Sequence, residues 1–392
     1  MEFSTLGELS VNGKGSYGIA ASAVPYSKEL YTYLRITDIT DDGRINFNGL
    51  KSVDDVNAKK YKLKPNDIVF ARTGGSTGRN YFYDGHDGEF VYAGFLIKFS
   101  IDSQKVNPRF IKYYCQSKEY KDWVRSFNTG STRGNINAQT YAIMPIPMLS
   151  RKQQDGIVSI LEAIDGKIEG NKHINENLYE LTKVYYTSLF KYAECEMTTI
   201  GNYAKRIYSG GTPKTSNAEY WNGSFGWFSS GETRNRFVIS TEKTITQNGI
   251  NNSSTKLASK YDIVMASAGQ GFTRGQTSML LIDTYVNQSV IVIHADRNTL
   301  PYLFWNLSNR YEELRAISDS SSIRGSLTTK MLAGFEIQHV SNEALLAFAD
   351  FAWPIISKIE NNLLENERLT TLRDSLLPKL MSGELDVSSL DF

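Results

Sequence analysis

The chain is poor in cysteine. Cys115 and Cys195 are its only two among 392 residues, too few for a disulfide framework or a cysteine-based zinc site. Histidine is equally thin: His86, His173, His294 and His339 are scattered, with no HExxH and no paired spacing. A structural or catalytic metal therefore has no ligand pattern behind it, and no cofactor is expected. No two of the nine prolines are adjacent, which excludes the Asn-Pro-Pro-aromatic motif of amino-methyltransferases. GxxxxGK(S/T) and GxSxG are missing too, and Gly13-Lys14 and Gly166-Lys167 lack a phosphate-loop context, so ATP hydrolysis is disfavoured. Long apolar runs are also lacking: Met279–Ile282 and Val290–Ile293 are far too short to span a bilayer. The opening MEFSTLGELS has no basic-then-apolar signal pattern. The expectation is a cytoplasmic protein with no membrane partner.

What is present is ordinary in amount and unusual in arrangement. The length suggests two or three domains, and 41% hydrophobic with 22% charged residues describes a folded chain. Aromatics reach 12%, mostly 23 Tyr and 19 Phe. Most aromatics build cores, but such a number also suits contacts made through flat amphipathic rings. The net charge of +1 hides a division. Residues 151–196 carry 6 basic and 8 acidic side chains, and residues 341–392 carry 4 and 9. Residues 1–150 carry 19 and 15, and residues 197–340 carry 14 and 10, so each of these blocks holds +4. Two mildly basic blocks alternate with two acidic ones.

The acidic blocks repeat each other. Lys167-Ile168-Glu169-x-Asn171-x-x-x-Asn175-Glu176 recurs as Lys358-Ile359-Glu360-x-Asn362-x-x-x-Asn366-Glu367, an offset of 191 that also maps Leu178 to Leu369, Leu181 to Leu372, Leu189 to Leu380 and Arg133-Gly134 to Arg324-Gly325. Upstream the offset drifts to 195 for Asp67-Ile68-Val69 against Asp262-Ile263-Val264, and to 194 for Leu6-Gly7 against Ile200-Gly201. Half of the chain thus duplicates the other half, with small loop insertions. The period is far too long for a solenoid.

Each acidic block reads as one long helix. Ile157, Leu161, Ile164, Ile168, Ile174, Leu178, Leu181, Tyr185 and Leu189 recur mostly at three- and four-residue steps, as do Phe348, Ala352, Ile355, Ile359, Leu369, Leu372, Leu376 and Leu380. Ser150 and Ser341 can cap the N-termini, and Gly383 follows the second helix as a stop signal. About 40 residues give roughly 60 Å of helix. A lone helix of that length cannot bury its stripe, so the pattern predicts an antiparallel pair, Ser150–Ala193 against Asn342–Ser382, about a pseudo-two-fold axis. Asn171 and Asn362 fall at equivalent places, either on the seam, where a buried amide fixes register, or at its wet edge.

The basic blocks read as mixed α+β. Candidate strands are Tyr33–Ile39, Asp67–Arg72 and Phe90–Phe99 in the first, and Gly226–Ser229, Asp262–Ser267, Gln276–Ile282 and Val286–His294 in the second. Helices are expected to begin at Pro108 and Pro301, since Pro favours the first helical position. The predicted domains are residues 1–149 and 197–340 as the two globular blocks, with 150–196 and 341–392 as the helical regions.

Two loops follow predicted strands at corresponding places. Arg72-Thr73-Gly74-Gly75-Ser76-Thr77-Gly78-Arg79 faces Ser267-Ala268-Gly269-Gln270-Gly271-Phe272-Thr273-Arg274-Gly275. Glycines let backbone approach a partner, and arginines and hydroxyls bind phosphates or base edges, although a plain glycine-rich turn reads the same way. The candidate DNA-contacting set is Arg72, Thr73, Ser76, Thr77 and Arg79 in the first loop and Gln270, Thr273 and Arg274 in the second. Arg133 and Arg324 join it, with a structural anchor between block and helix as their alternative. In the divergent first halves, Lys14, Tyr17, Arg35 and Thr37 face Thr212, Lys214, Ser229, Thr233 and Arg234 as a candidate groove-reading surface, each alone reading equally as a plain surface residue.

This organisation, with the closing Leu369-x-x-Leu372-Arg373-Asp374-x-Leu376-Leu377-Pro378-Lys379-Leu380-Met381-Ser382-Gly383-Glu384-Leu385, resembles the specificity subunit of type I restriction-modification systems over the whole chain. The resemblance implies two target recognition domains, each reading one half of a bipartite double-stranded DNA site. It implies two helical regions that hold these domains apart and recruit two modification (methyltransferase) subunits, with restriction subunits completing the nuclease. It also implies a subunit without catalytic residues of its own. The sequence departs from the pattern in its short lead before Leu6-Gly7, which leaves open whether an N-terminal segment is missing or supplied by Asp386–Phe392. The alternatives are a stand-alone DNA-binding protein with two basic domains on a helical spacer, an enzyme with an unrecognised motif, and a coiled-coil scaffold.

Overall fold

Asp67-Ile-Val-Phe-Ala71 is a run of branched and aromatic residues with no polar alternation after its first residue, the pattern of a strand covered on both faces. In the computed structural model this strand is buried along its whole length. The structure describes residues 2–127, 134–190, 196–269, 272–320 and 326–387. The chain divides into two compact units: Met1–Lys167 with Leu369–Phe392, and Ile168–Arg368.

In the first unit, Asp67–Ala71 lies between Leu96–Ser100 and Asn80–Tyr83, antiparallel to both, with Ser16–Tyr17 outside Leu96–Ser100. A second sheet runs in the order Ala23–Val24, Lys51–Val53, Tyr31–Leu34, Phe90–Tyr92. Glu2–Thr5 and Pro145–Met148 form a separate ribbon. The helix Pro108–Tyr114 starts where its proline predicts, and the Asn107 side chain accepts the Arg109 N–H at 2.9 Å.

The second unit repeats this plan. Ile263–Ala266 lies between Val290–Ala295 and Thr277–Leu280, antiparallel to both, with Ala204–Ser209 beyond Val290–Ala295. Its second sheet runs Lys243–Ile245, Trp221–Phe228, Thr284–Val286, Lys256–Ala258. Met197–Thr199 pairs with Glu336–Gln338 as Glu2–Thr5 pairs with Pro145–Met148. Gly7 and Gly201 explain one matched motif: an added Cβ would come within 3.1 Å of the Ala142 carbonyl oxygen in one and 3.0 Å of the Ala333 carbonyl oxygen in the other.

Three strand expectations need correction. Tyr33–Ile39 stops at Leu34, because Asp38 accepts the Arg35 N–H at 2.8 Å and closes a turn. Phe90–Phe99 is two strands, Phe90–Tyr92 and Leu96–Ser100, broken where the Leu96 N–H turns back to the Ala93 carbonyl at 2.8 Å. Val286–His294 likewise breaks into Thr284–Val286 and Val290–Ala295, since the Asn287 side chain takes the Ser289 N–H at 3.0 Å. In all three, a local polar bond or a tight turn ends a run that hydrophobicity alone would continue.

The acidic blocks are helices of 40 residues each, Arg151–Phe190 and Asn342–Met381. Ser150 caps the first by accepting the Gln153 N–H at 3.3 Å, and Ser341 caps the second by accepting the Ala344 N–H at 3.3 Å. Within each unit their segments pair antiparallel. In the first, Ile157, Val158 and Leu161 share a core with Leu377, Leu380 and Met381, and Arg373 reaches Asp165 at 3.0 Å. In the second, the Asn171 amide donates to Asn366 at 2.9 Å and the Asn362 amide donates to Asn175 at 2.7 Å. The repeat maps each of these pairs onto the other. Asn171 and Asn362 are both fully buried, which places them on the seam.

The apolar stripe of the first helix is corrected in its second half. Ile174, Leu181 and Leu189 are exposed, while Asn171, Tyr179, Thr182, Tyr186 and Phe190 are buried. The amide pairs set the rotation of the helix, and the aromatics in phase with them enter the core of the second unit. There Tyr186 and Phe190 meet Tyr302 and Phe348. The Asn306 amide donates to the Tyr186 hydroxyl at 2.8 Å, and burial pushes that phenol up to about 12. In the second helix Ile356 is buried where Ile355 was expected to be, and Leu372 is exposed.

Candidate nucleic-acid interface

The two glycine loops are one construction made twice. In the first unit the Ala71 N–H donates to the Arg79 carbonyl at 2.8 Å, Gly78 returns to Ala71 at 3.0 Å and Arg79 to Ser76 at 2.9 Å. In the second, Ala266 donates to Gln276 at 3.1 Å, Gly275 to Ala266 at 2.9 Å and Gln276 to Thr273 at 2.8 Å. Two further backbone bonds tie in neighbouring segments: Arg72 to Phe95 at 3.1 Å with Ile136 to Arg72 at 2.9 Å, matched by Ser267 to Ser289 at 2.9 Å with Leu327 to Ser267 at 2.8 Å. Gly78 and Gly275 hold left-handed φ of 90° and 85°, which a side chain would strain. The loop of the second unit is two residues longer between these fixed points, so length and side chains vary on a shared backbone frame.

Half of the predicted contact residues that the structure describes already have work inside the protein. Arg35 pairs with Asp38 at 2.6 Å and its Nη2 reaches the Gly49 carbonyl at 3.2 Å; the Asp38 hydrogen bond holds its guanidinium above its ordinary pKa. Arg79 pairs with Asp41 at 2.7 Å and donates to the Ile39 carbonyl at 3.1 Å. Arg234 pairs with Glu242, and buried Arg274 with Asp319. The Thr77 hydroxyl lies 2.8 Å from the Gly74 carbonyl and 2.9 Å from that of Gly134. Thr233 is buried and donates to the Ser230 carbonyl at 2.8 Å, and Ser229 forms a capping box with Glu232. Thr212 is bonded to Gln288. These side chains shape the loops and the turns beyond them.

Others remain available. Lys14, Thr37 and Lys214 are exposed, and Ser76 and Thr273 are half-buried at the loops. Thr73 sits on the short bridge to Asn135. Arg72 lies over the Tyr17 ring at 5.2 Å, with its Nε buried and unpartnered among the described residues. The Tyr17 hydroxyl accepts the Ala138 N–H at 3.2 Å. Arg72, Thr73, Ser76, Thr77 and Tyr17 therefore gather at one loop cluster, and Thr273 and Arg274 at its counterpart. Arg35, Thr37, Thr233 and Arg234 belong to turns outside these loops. Arg133, Gln270 and Arg324 lie outside the described residues. The sequence reading missed Phe95 and Phe272, both exposed at the clusters; a phenylalanine in a sequence gives no sign of which way its ring faces.

The match to known proteins follows the same duplication. The family model for the type I restriction modification DNA specificity domain matches residues 1–180 and again 194–371. The chain belongs to that family, and it carries the domain twice. Among curated relatives, the type I restriction enzyme HindI specificity subunit of Haemophilus influenzae is 21% identical over 83% of this chain and 88% of its own length. The MjaIX specificity subunit of Methanocaldococcus jannaschii is 22% identical over 74% of this chain and 72% of its own. The crystal structure of a type I restriction-modification S subunit from M. genitalium has the same fold, with a TM-score of 0.59 at 17% identity, covering 97% of this chain and 95% of that one.

Proposed function

We infer that the chain is the DNA-specificity subunit of a type I restriction-modification system, reading a bipartite target. Residues 1–149 read one half-site and residues 197–340 the other, through the loop clusters around Gly74–Thr77 and Thr273–Arg274. The observation that carries this reading is the repeated loop frame: five backbone hydrogen bonds recur at matched positions in both units while the side chains they present differ. Phosphate contacts would come from exposed Lys14 and Lys214 and from Arg72, and base-edge contacts from the loop hydroxyls and amides. A +4 balance in each block is modest for a protein that clamps DNA alone, and fits a subunit sharing that task with modification subunits.

Those partners have a surface to bind. Ile174, Leu181, Val184 and Leu189 expose an apolar strip at helical spacing on the first long helix, of the kind a partner protein covers. Restriction subunits complete the assembly. The chain contributes no catalytic residue, and the chemistry belongs to its partners. Among the described residues no helix is long and apolar enough to cross a membrane, and the assembly acts on DNA in the cytoplasm. Methylome sequencing of cells expressing the chain with its modification subunit tests the reading. The expected result is one motif in two parts separated by a spacer of fixed length. A contiguous motif, or methylation with no sequence preference, would refute it.

A further inference from the structure

Phe272 is 84% exposed, more than any other large apolar side chain described in the second unit. Its backbone is nonetheless fastened. The Phe272 carbonyl accepts the Tyr311 hydroxyl at 2.6 Å, and buried Arg274 is paired with Asp319 two residues on. Arg315 holds a guanidinium 6.0 Å from the ring centroid. A ring kept in water on a fixed backbone forgoes burial that a polar residue would not need. The matched bonds from Arg79 to Ser76 and from Gln276 to Thr273 put Gly75 at the corresponding place in the first unit. There the ring comes from the neighbouring connection instead: Phe95 is 58% exposed, and its carbonyl accepts the Arg72 N–H. The second unit has Ser289 at that point. Each loop cluster thus holds one exposed phenylalanine, supplied from non-equivalent positions. Copying of the repeat does not produce that; a shared need for a ring there does.

Resting on the DNA-specificity reading, we propose that Phe272 and Phe95 are wedges, each inserting partway between adjacent base pairs of its half-site. An apolar side chain so placed unstacks one step and kinks the duplex. It thereby selects flexible pyrimidine–purine steps without hydrogen-bonding them. These two residues add a deformability reading to whatever the loop hydroxyls read directly.

The test uses the full chain complexed with its modification subunit and target duplexes carrying 2-aminopurine at successive positions other than the methylated base. The wild-type complex should brighten the probe at one step in each half-site. Phe272→Ala should abolish the signal in one half-site, keep it in the other and weaken binding roughly ten- to a hundredfold. The dependence on salt should keep its slope, because no charge is removed. Phe95→Ala should do the same at the opposite half-site, and the retained signal in each variant shows that the chain is folded. Phe272→Trp should keep both signals. Wild-type affinity and probe signal in Phe272→Ala would overturn the proposal, as would specific wild-type binding with no unstacked step. A wild-type complex that binds no sequence preferentially would sink the DNA-specificity reading and the wedge with it.

Discussion

A buried carboxylate stands at the entry to the central strand of each unit, Asp67 as its first residue and Asp262 just before Ile263, and the two are held differently. Asp67 accepts the Lys64 N–H at 2.8 Å, the Ser100 hydroxyl at 2.5 Å and the Lys98 ammonium at 3.0 Å. Asp262 accepts the Ser259 N–H at 2.9 Å and faces His294 Nδ1 at 2.6 Å, with the imidazole in the position of Ser100. The bond from the preceding turn is preserved because it closes the entry to the strand. The side-chain partner is free to change as long as the buried charge is matched. The loop frames show the same division: backbone bonds are shared by both units, and side chains belong to one. Two halves of one chain can therefore present different side chains on one architecture.

The comparison can be broken most severely by exchange. Replacing residues 1–149 with the corresponding block of a relative should change one half of the methylated motif completely and leave the other untouched. A change in both halves, seen by methylome sequencing, would mean the units do not read independently.

A subtler alteration concerns the helices. Lys167 and Ile168 are successive residues of the first long helix, in different units, as are Arg368 and Leu369 of the second. An insertion after Asn177 would fall between Asn175 and Tyr179 and disturb the second unit itself. Four residues added at both boundaries, after Lys167 and after Arg368, leave each unit intact. They add about 6 Å of helix, one to two base-pair steps at ~3.4 Å each. The recognised spacer should lengthen by about one or two base pairs with both half-sites unchanged. An active variant with the original spacer would show that the helices do not measure DNA.

The corrected helix face gives the next contrast. Phe348 is fully buried among Tyr186, Phe190 and Trp305, so Phe348→Ala should cost about 3–5 kcal/mol in urea unfolding. Leu181→Ala, on the exposed face, should stay within about 0.5 kcal/mol. Equal losses would restore the stripe expected from the sequence. At the proposed DNA surface, Lys14→Ala should weaken binding evenly across sequences and lower the salt slope by about one.

The smallest effect separates the two carboxylates. Burial raises the Asp262 carboxyl above its ordinary pKa of 3.8. A raised folded value means that the stability this group contributes is fully present below the unfolded pKa and is lost as pH rises through the folded one. The advantage of wild type over Asp262→Asn should therefore shrink from acid to neutral pH. Tryptophan fluorescence reads mainly the second unit, which holds four of the five tryptophans. A gap that widened toward neutral pH would contradict this.

The duplication, the long helices, their caps and the positions of the two loops were legible in the sequence, because each depends on spacing and on local backbone needs. Strand ends were less so: a single turn bond at Asp38 or Asn287 outweighs a hydrophobic run. The facing of the helix was misread because Ile174, Leu181 and Leu189 outrank Asn171 and Tyr179 in hydrophobicity. The structure buries the asparagines by pairing them with one another. Arginine roles were hidden for a related reason. Whether Arg35 or Arg79 is free or paired depends on Asp38 and Asp41, and a sequence does not say which acids the turns bring near.

The nesting of one unit inside the other has a consequence for synthesis. The core of the first unit includes Ile157, Val158 and Leu161, and also Leu377, Leu380, Met381 and Val387 from the last stretch of the chain. The second unit lies wholly between these segments in sequence. A ribosome adding about 5–20 residues per second needs roughly 10–45 s after Lys167 before the missing wall of the first unit emerges. During that interval the core around Ile157, Val158 and Leu161 lacks the part that Leu377, Leu380, Met381 and Val387 complete. The second unit ends at Arg368, so both of its helical segments, amide pairs included, precede Leu377, Leu380 and Met381 out of the ribosome. The later-made unit is therefore the first that can close, and the N-terminal one waits for the C-terminus.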